Sequence, residues 1–172
     1  LQLGFGCCIK MNDVILIDDF LDDPDSMRDL AIRYRGIWTK RGNHPGLRSI
    51  QLSDISMEHV YILHDAIQEK LDFYYGVQDS MFQYCVTADG NSWVHQDRTN
   101  EAILIVYLSP DPPAESGTIF YKSEDGDDID FIVENKYNRA MLYNGYRFHK
   151  SNNYFGDCLK NGRLFLINFM KF

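Results

Sequence analysis

Residues 102–143 read AILIVYLSPDPPAESGTIFYKSEDGDDIDFIVENKYNRAMLY. The stretch holds short apolar runs, AILIVYLS (102–109), GTIFYK (117–122), DFIVE (130–134) and RAMLY (139–143), rich in Ile, Val, Phe and Tyr. Pro110 to Pro113 and Asp125-Gly126 punctuate them as turns. Runs of this length and composition, closely spaced, are strands rather than helices. SMFQYCVTA (80–88) precedes them and RLFLINFMKF (163–172) follows, with Asp89-Gly90, Asn144-Gly145 and Asn161-Gly162 as further turns.

Upstream the pattern changes. VILID (14–18) reads as a short buried strand. Asp23-Pro24 reads as an N-cap followed by proline at the first helical position. Met27, Leu30, Ala31 and Tyr34 then recur at helical spacing. Residues 36–52, with Gly36, Gly42, Pro45 and Gly46, read as irregular. A second helix is predicted from about Ser56 to Tyr74, with Met57, Val60, Leu63, Ile67, Leu71 and Tyr74 as its stripe. Helices followed by a run of strands predict a mainly β fold with N-terminal helices buttressing one side of a β-sandwich or jelly roll.

The chain has 172 residues, enough for one domain with a sizeable core. Residues 1–10 are expected to be a leader or remnant outside the fold; 11–172 form the domain, with helical support over 24–75 and a jelly-roll core over 80–172. A formal net charge of -8 disfavours nucleic acid as a partner, because phosphate binding needs a basic surface. No apolar run approaches the ~20 residues of a membrane span. Cys7, Cys8, Cys85 and Cys158 show no CxxC pairing and read as reduced thiols of a cytoplasmic protein.

SWVHQD (92–97) places His95 and Asp97 two residues apart. On a strand, alternate residues share a face, so both point one way and Gln96 points the other. Alone, this pair is weak evidence for a metal site. His149 is the best third ligand, beyond RAMLY and the turn NGYRF. Two imidazoles and a carboxylate with open positions form the facial triad of non-haem iron oxygenases. Arg163 opens the last strand on a face otherwise made by Phe165, Ile167 and Phe169. A guanidinium there needs an anion, since an unpaired buried charge is costly, and a bidentate carboxylate fits it.

HQD at 95–97, His149, and Arg163 within NGRLFLINF together resemble the 2-oxoglutarate/Fe(II)-dependent dioxygenases. VILIDDFLDDPDSMRDLA is similar to the opening of their prolyl-hydroxylase-like branch, and IVYLS then SGTIFY to its strands after HxD. The resemblance covers roughly residues 14–172 and implies a double-stranded β-helix. It implies Fe(II) on His95, Asp97 and His149, with 2-oxoglutarate and O2 as cosubstrates. It further implies a distal carboxylate on Arg163, with Tyr84 and Tyr107 as further cosubstrate contacts. Oxidation of a C–H bond would release succinate and CO2, and Asp97 favours hydroxylation over halogenation. The substrate would be a small molecule or a peptide side chain.

Two departures stand out. Phe165 occupies a place where many relatives carry Ser or Thr, and Lys122 is a rival to Arg163. A non-catalytic jelly-roll or cupin-like binding module, and a cupin oxygenase that does not use 2-oxoglutarate, remain alternatives. His44, His59 and His64 receive no role, and His44 reads as a plain turn residue. Trp38 and Trp93 read as core, Arg139 and Arg147 as solvated surface, and SEDGDDID (123–130) as a hairpin tip rather than a calcium loop.

Overall fold

The computed structural model describes residues 14–40, 44–71, 79–98 and 102–170. Residues 1–10, with Cys7 and Cys8, and the end of the second helix at Tyr74 lie outside them. The elements run β1 (Val14–Ile17), α1 (Pro24–Arg33), β2 (Leu47–Gln51), α2 (Leu52–Ile55), α3 (Met57–Leu71), β3 (Asp79–Cys85), β4 (Ala102–Tyr107), β5 (Thr118–Tyr121), β6 (Ile129–Val133), β7 (Ala140–Asn144), β8 (Phe148–Ser151) and β9 (Arg163–Met170).

Two antiparallel sheets form the jelly roll. The larger has the order β1-β7-β4-β9-β3-β2 and the smaller β6-β5-β8. Strand alternation sorts the larger sheet's side chains into two cores. Leu164, Leu166 and Met170 of β9, Leu104 and Val106 of β4 and Leu142 of β7 pack on Met27, Leu63 and Ile67 of the helices. Phe165 and Ile167, with Ile103, Ile105, Tyr107, Met141 and Tyr143, face Phe120 and Val133 of the smaller sheet. The functional site lies on this second, inward face.

α1 starts as its sequence dictates. Asp23 Oδ1 accepts from the Ser26 amide at 2.9 Å, and Pro24 occupies the first turn. Such a cap contributes ~0.5–2 kcal/mol. The turn before β7 is tied to the β1–α1 connection by Asn138, which is buried with φ 59°. Its side chain accepts from the Leu21 amide at 2.9 Å and donates to the Leu21 carbonyl at 2.8 Å.

Some expectations are corrected. VILID is an edge strand paired only to β7, and Leu16 is exposed. β2 falls inside the stretch read as irregular. Its sequence LRSIQ has no apolar alternation, so only backbone pairing to β3 reveals it. Gly46, at φ +72°, leads into that strand, and a Cβ there would lie 2.1 Å from the Tyr84 carbonyl oxygen. β8, FHKS, begins at the last residue of the expected turn NGYRF and carries His149; with one apolar residue in four it has little strand signal of its own. In α3 the buried face includes His59 and Ala66, whereas Met57 is exposed.

Candidate metal centre

His95 and His149 come from opposite sides of the smaller sheet's edge. The His95 amide donates to the His149 carbonyl and the reverse, both at 3.0 Å. The ring centroids lie 4.4 Å apart. Two residues on, the Asp97 amide donates to the Gly145 carbonyl at 2.7 Å, fixing its carboxylate on the same side. Gln96 turns away and donates to the Tyr146 carbonyl. The ligand atoms of His95, Asp97 and His149 all lie within 4.8 Å of one another.

The ring tautomers follow from the hydrogen bonds. His95 Nδ1 lies 3.0 Å from the Trp93 carbonyl oxygen, and His149 Nδ1 lies 2.9 Å from that of Arg147. A carbonyl only accepts, so each Nδ1 carries the proton and each Nε2 presents a lone pair. His149 Nε2 stands 3.4 Å from Asp97 Oδ2, and His95 Nε2 stands 3.9 Å from Asp97 Oδ1. Lone pairs converging in this way fit a divalent cation, and the carbonyls behind the rings hold them in ligating orientation. The Tyr143 hydroxyl lies 3.1 Å from His149 Nε2, on the same spot. Burial, followed by the neighbouring His149, lowers the His95 pKa, favouring the neutral ligand. Burial pushes the Asp97 pKa up, but the pull of nearby His149, His95 (when cationic) and Arg48 outweighs it, leaving the carboxyl below its ordinary range.

Arg163 is the largest fully buried side chain, 1% exposed. Its Nε donates to the Ser116 carbonyl at 3.2 Å, and one terminal nitrogen donates to the Gly117 carbonyl at 3.2 Å. The guanidinium lies over the rings of Phe165 (4.7 Å) and Tyr107 (5.5 Å). Its other terminal nitrogen has no partner among the described residues, and no carboxylate pairs with it. Thr118, 3.5 Å from Arg163, lines the same cavity as the three ligands, together with Phe165.

Tyr107 stands on the inward face, its hydroxyl 2.9 Å from Thr118 Oγ1. Tyr84 does not reach the site. One residue out of phase with Gln83 and Cys85, it packs on Trp38 in the helix-facing core. Lys122 pairs with Asp128 at 3.0 Å on the exposed hairpin, away from the cavity. Trp93 is partly exposed beside His95 rather than core. Arg147 stacks on Phe120 and Phe131 and pairs with Asp130, and Arg139 pairs with Asp18.

The cavity also takes in His44, Arg48, Gln83 and Tyr143, to which the sequence assigned no function. The parity of RAMLY, with Met141 and Tyr143 inward, would have found Tyr143. The loop around His44 and the strand of Arg48 carry no such signal.

No protein-family model matches the chain, and no curated protein does. Solved structures do. HygX from Streptomyces hygroscopicus, solved with nickel, 2-oxoglutarate and hygromycin B bound, superposes with a TM-score of 0.71 at 12% identity, over 92% of this chain and 82% of that one. The fold is that of the 2-oxoglutarate- and iron-dependent oxygenases. A prolyl hydroxylase from Trichoplax adhaerens, in complex with a hypoxia inducible factor peptide fragment, gives a TM-score of 0.65 at 12% identity, covering 93% and 84%. A Pseudomonas putida prolyl-4-hydroxylase gives 0.58 at 19% identity, covering 92% and 91%. Within this jelly roll the His-Asp-His cluster sits at the edge of the smaller sheet and Arg163 begins β9. No helix among the described residues is long and apolar enough to cross a membrane.

Proposed function

We propose that the chain is an Fe(II)- and 2-oxoglutarate-dependent oxygenase that hydroxylates, or otherwise oxidises, a C–H bond of a small molecule or peptide side chain. Succinate and CO2 are the coproducts and O2 the second cosubstrate. The observation that carries this reading is the pairing of two features on one inward face. One is a three-ligand cluster whose Nε2 lone pairs converge on the Asp97 carboxylate; the other is a buried guanidinium with an unpartnered nitrogen. A cupin-like binding module needs no such cation.

His95, Asp97 and His149 would hold the metal on one side, leaving the cavity side open to ligands. Arg163 would take the distal carboxylate of 2-oxoglutarate in a charge-assisted contact through its unpartnered terminal nitrogen. Thr118 and Tyr107, hydrogen bonded to each other beside it, add hydroxyls where Phe165 offers none. Ile105, Phe165 and Ile167 give the cavity an apolar wall that would shield a bound cosubstrate from water. Iron with 2-oxoglutarate and O2 supplies the oxidising chemistry that side chains lack. The protein places the substrate C–H and fixes both ring orientations. The unpaired thiols of Cys85 and Cys158 accord with a cytoplasmic setting.

Anaerobic protein is expected to bind one Fe(II) per chain. On a panel of small molecules and peptides, at least one compound should raise succinate formation above the uncoupled rate. Protein that binds no Fe(II), or makes no succinate under any condition, would overturn the proposal.

A further inference from the structure

Arg163 lies behind the metal cavity, against its lining residues Thr118 and Phe165, and a second guanidinium reaches the cavity itself. Arg48, on β2, lines it, and no acidic group among the described residues pairs with this side chain. Its Nε donates to Gln83 Oε1 at 2.6 Å. Gln83 is itself buried and held by the Pro45 carbonyl, to which its amide nitrogen donates at 2.8 Å. The guanidinium lies 5.3 Å over the Phe169 ring. Its two terminal nitrogens make no hydrogen bond within the described residues. The side chain is therefore braced by a rigid amide and an aromatic face, with its forked donors unspent. Burial pushes the Arg48 pKa down, and the field of Asp97 only partly restores it.

The two cations serve different ends of the site. Arg163 lies over Phe165, and Arg48 lies over Phe169, two steps further along the inward face of β9 with Ile167 between. Arg48 also forms the wall between the metal cavity and an outer groove lined by Ile37, Ile50 and Met81. An anion on Arg163 occupies the inner end, whereas an anion on Arg48 approaches from the open side. 2-Oxoglutarate spends its distal carboxylate on one guanidinium only. The second is half-buried and keeps both terminal nitrogens open to the cavity, where a charge-assisted fork can take an anion from outside the chain.

We infer that the substrate is a small carboxylic acid whose carboxylate docks on Arg48, placing its carbon skeleton in front of His95, Asp97 and His149. The planar fork matches a carboxylate with two parallel hydrogen bonds. This rests on the oxygenase reading and narrows it from any C–H substrate to an acidic small molecule.

The test is saturation-transfer NMR on the full chain loaded with Zn(II), a diamagnetic stand-in, and saturated with 2-oxoglutarate to fill Arg163. The probes are free amino acids and simple aliphatic and aromatic monocarboxylic acids, each beside its neutral primary amide. Acids are expected to bind roughly 10-fold or more tightly than their amides, and Arg48→Gln to abolish the difference. Arg48→Lys restores part of it, and Gln83→Leu, which keeps the charge but removes the brace, weakens acid binding less than Arg48→Gln does. Amides that bind as well as acids, acids that fail to bind, or an Arg48→Gln protein that keeps the preference would overturn the inference. So would an Arg48→Gln protein that loses 2-oxoglutarate instead, since Arg48 would then be the cosubstrate anchor. If 2-oxoglutarate fails to bind the parent, the oxygenase reading falls. The acid–amide comparison is then made on the Zn(II) protein alone and still decides the role of Arg48.

Discussion

His95 and His149 are paired backbone to backbone, each donating its amide to the other's carbonyl at 3.0 Å, and each ring leans on the carbonyl two residues before it. The metal site thus follows from one pairing of distant segments, and His149 is further packed on Phe120 and Tyr143 inside the protein.

His95→Ala, Asp97→Ala and His149→Ala should each lower Fe(II) affinity by more than the ~10- to 100-fold typical of removing an outer-shell partner. Stability should change little for Asp97, which is only partly buried. Anaerobic metal titration with circular dichroism checks both. Three variants that bind iron like the parent would remove the assignment.

Arg163→Ala should leave iron binding intact and weaken 2-oxoglutarate by ~2–5 kcal/mol, roughly 30- to several-thousand-fold, because a desolvated charged contact is lost. Arg163→Lys should rescue in part, since a point ammonium lacks the planar fork. Tyr107→Phe, which removes the hydroxyl bonded to Thr118, should cost ~0.5–1.5 kcal/mol. Tyr84→Phe should leave cosubstrate affinity unchanged, because Tyr84 faces the helices. Isothermal titration of the four variants decides the ranking.

Asn138→Ala should destabilise the chain by about 1–3 kcal/mol, since it strands the Leu21 amide and carbonyl in a buried place. The left-handed backbone at φ 59° adds a penalty for alanine. Urea unfolding measures the change in midpoint.

Asp18 accepts from Arg139 and Lys136, and these hydrogen bonds, Arg139 first, hold its pKa well below the carboxylate range. The folded value is depressed, so the unfolded chain binds the proton more readily. The stabilisation is complete above the unfolded value of ~3.9 and is lost as pH falls toward the folded one. Asp18 is partly exposed, so solvent screening limits the effect to about 1 kcal/mol. Asp18→Asn should shrink the loss of stability between about pH 5 and pH 2 and lower stability slightly near pH 7; an unchanged acid limb would contradict the pairing.

Legibility tracked side-chain pattern. The strands with apolar alternation or continuous apolar runs, β4, β5, β7 and β9, and the Asp23 cap of α1, were readable because burial writes itself into their residue types. β2 and β8 were not, because their neighbours supply the backbone partners and their own side chains are mostly polar. The convergence of His95, Asp97 and His149 was foreseen from spacing and family resemblance. Tyr84, expected from the family resemblance to contact the cosubstrate, has Trp38 as its neighbour in the helix-facing core, because alternate strand residues face opposite ways. Arg48 was invisible, since an arginine in a polar stretch looks like surface until the fold buries it against Phe169.

The central claim is that one cavity holds both Fe(II) and 2-oxoglutarate. Titrating 2-oxoglutarate into the anaerobic Fe(II) protein tests it most directly, by following the metal-to-ligand charge-transfer absorbance. The band should grow to saturation at one equivalent in the parent and require far more cosubstrate in Arg163→Ala. A parent protein that binds Fe(II) yet develops no band would contradict the account.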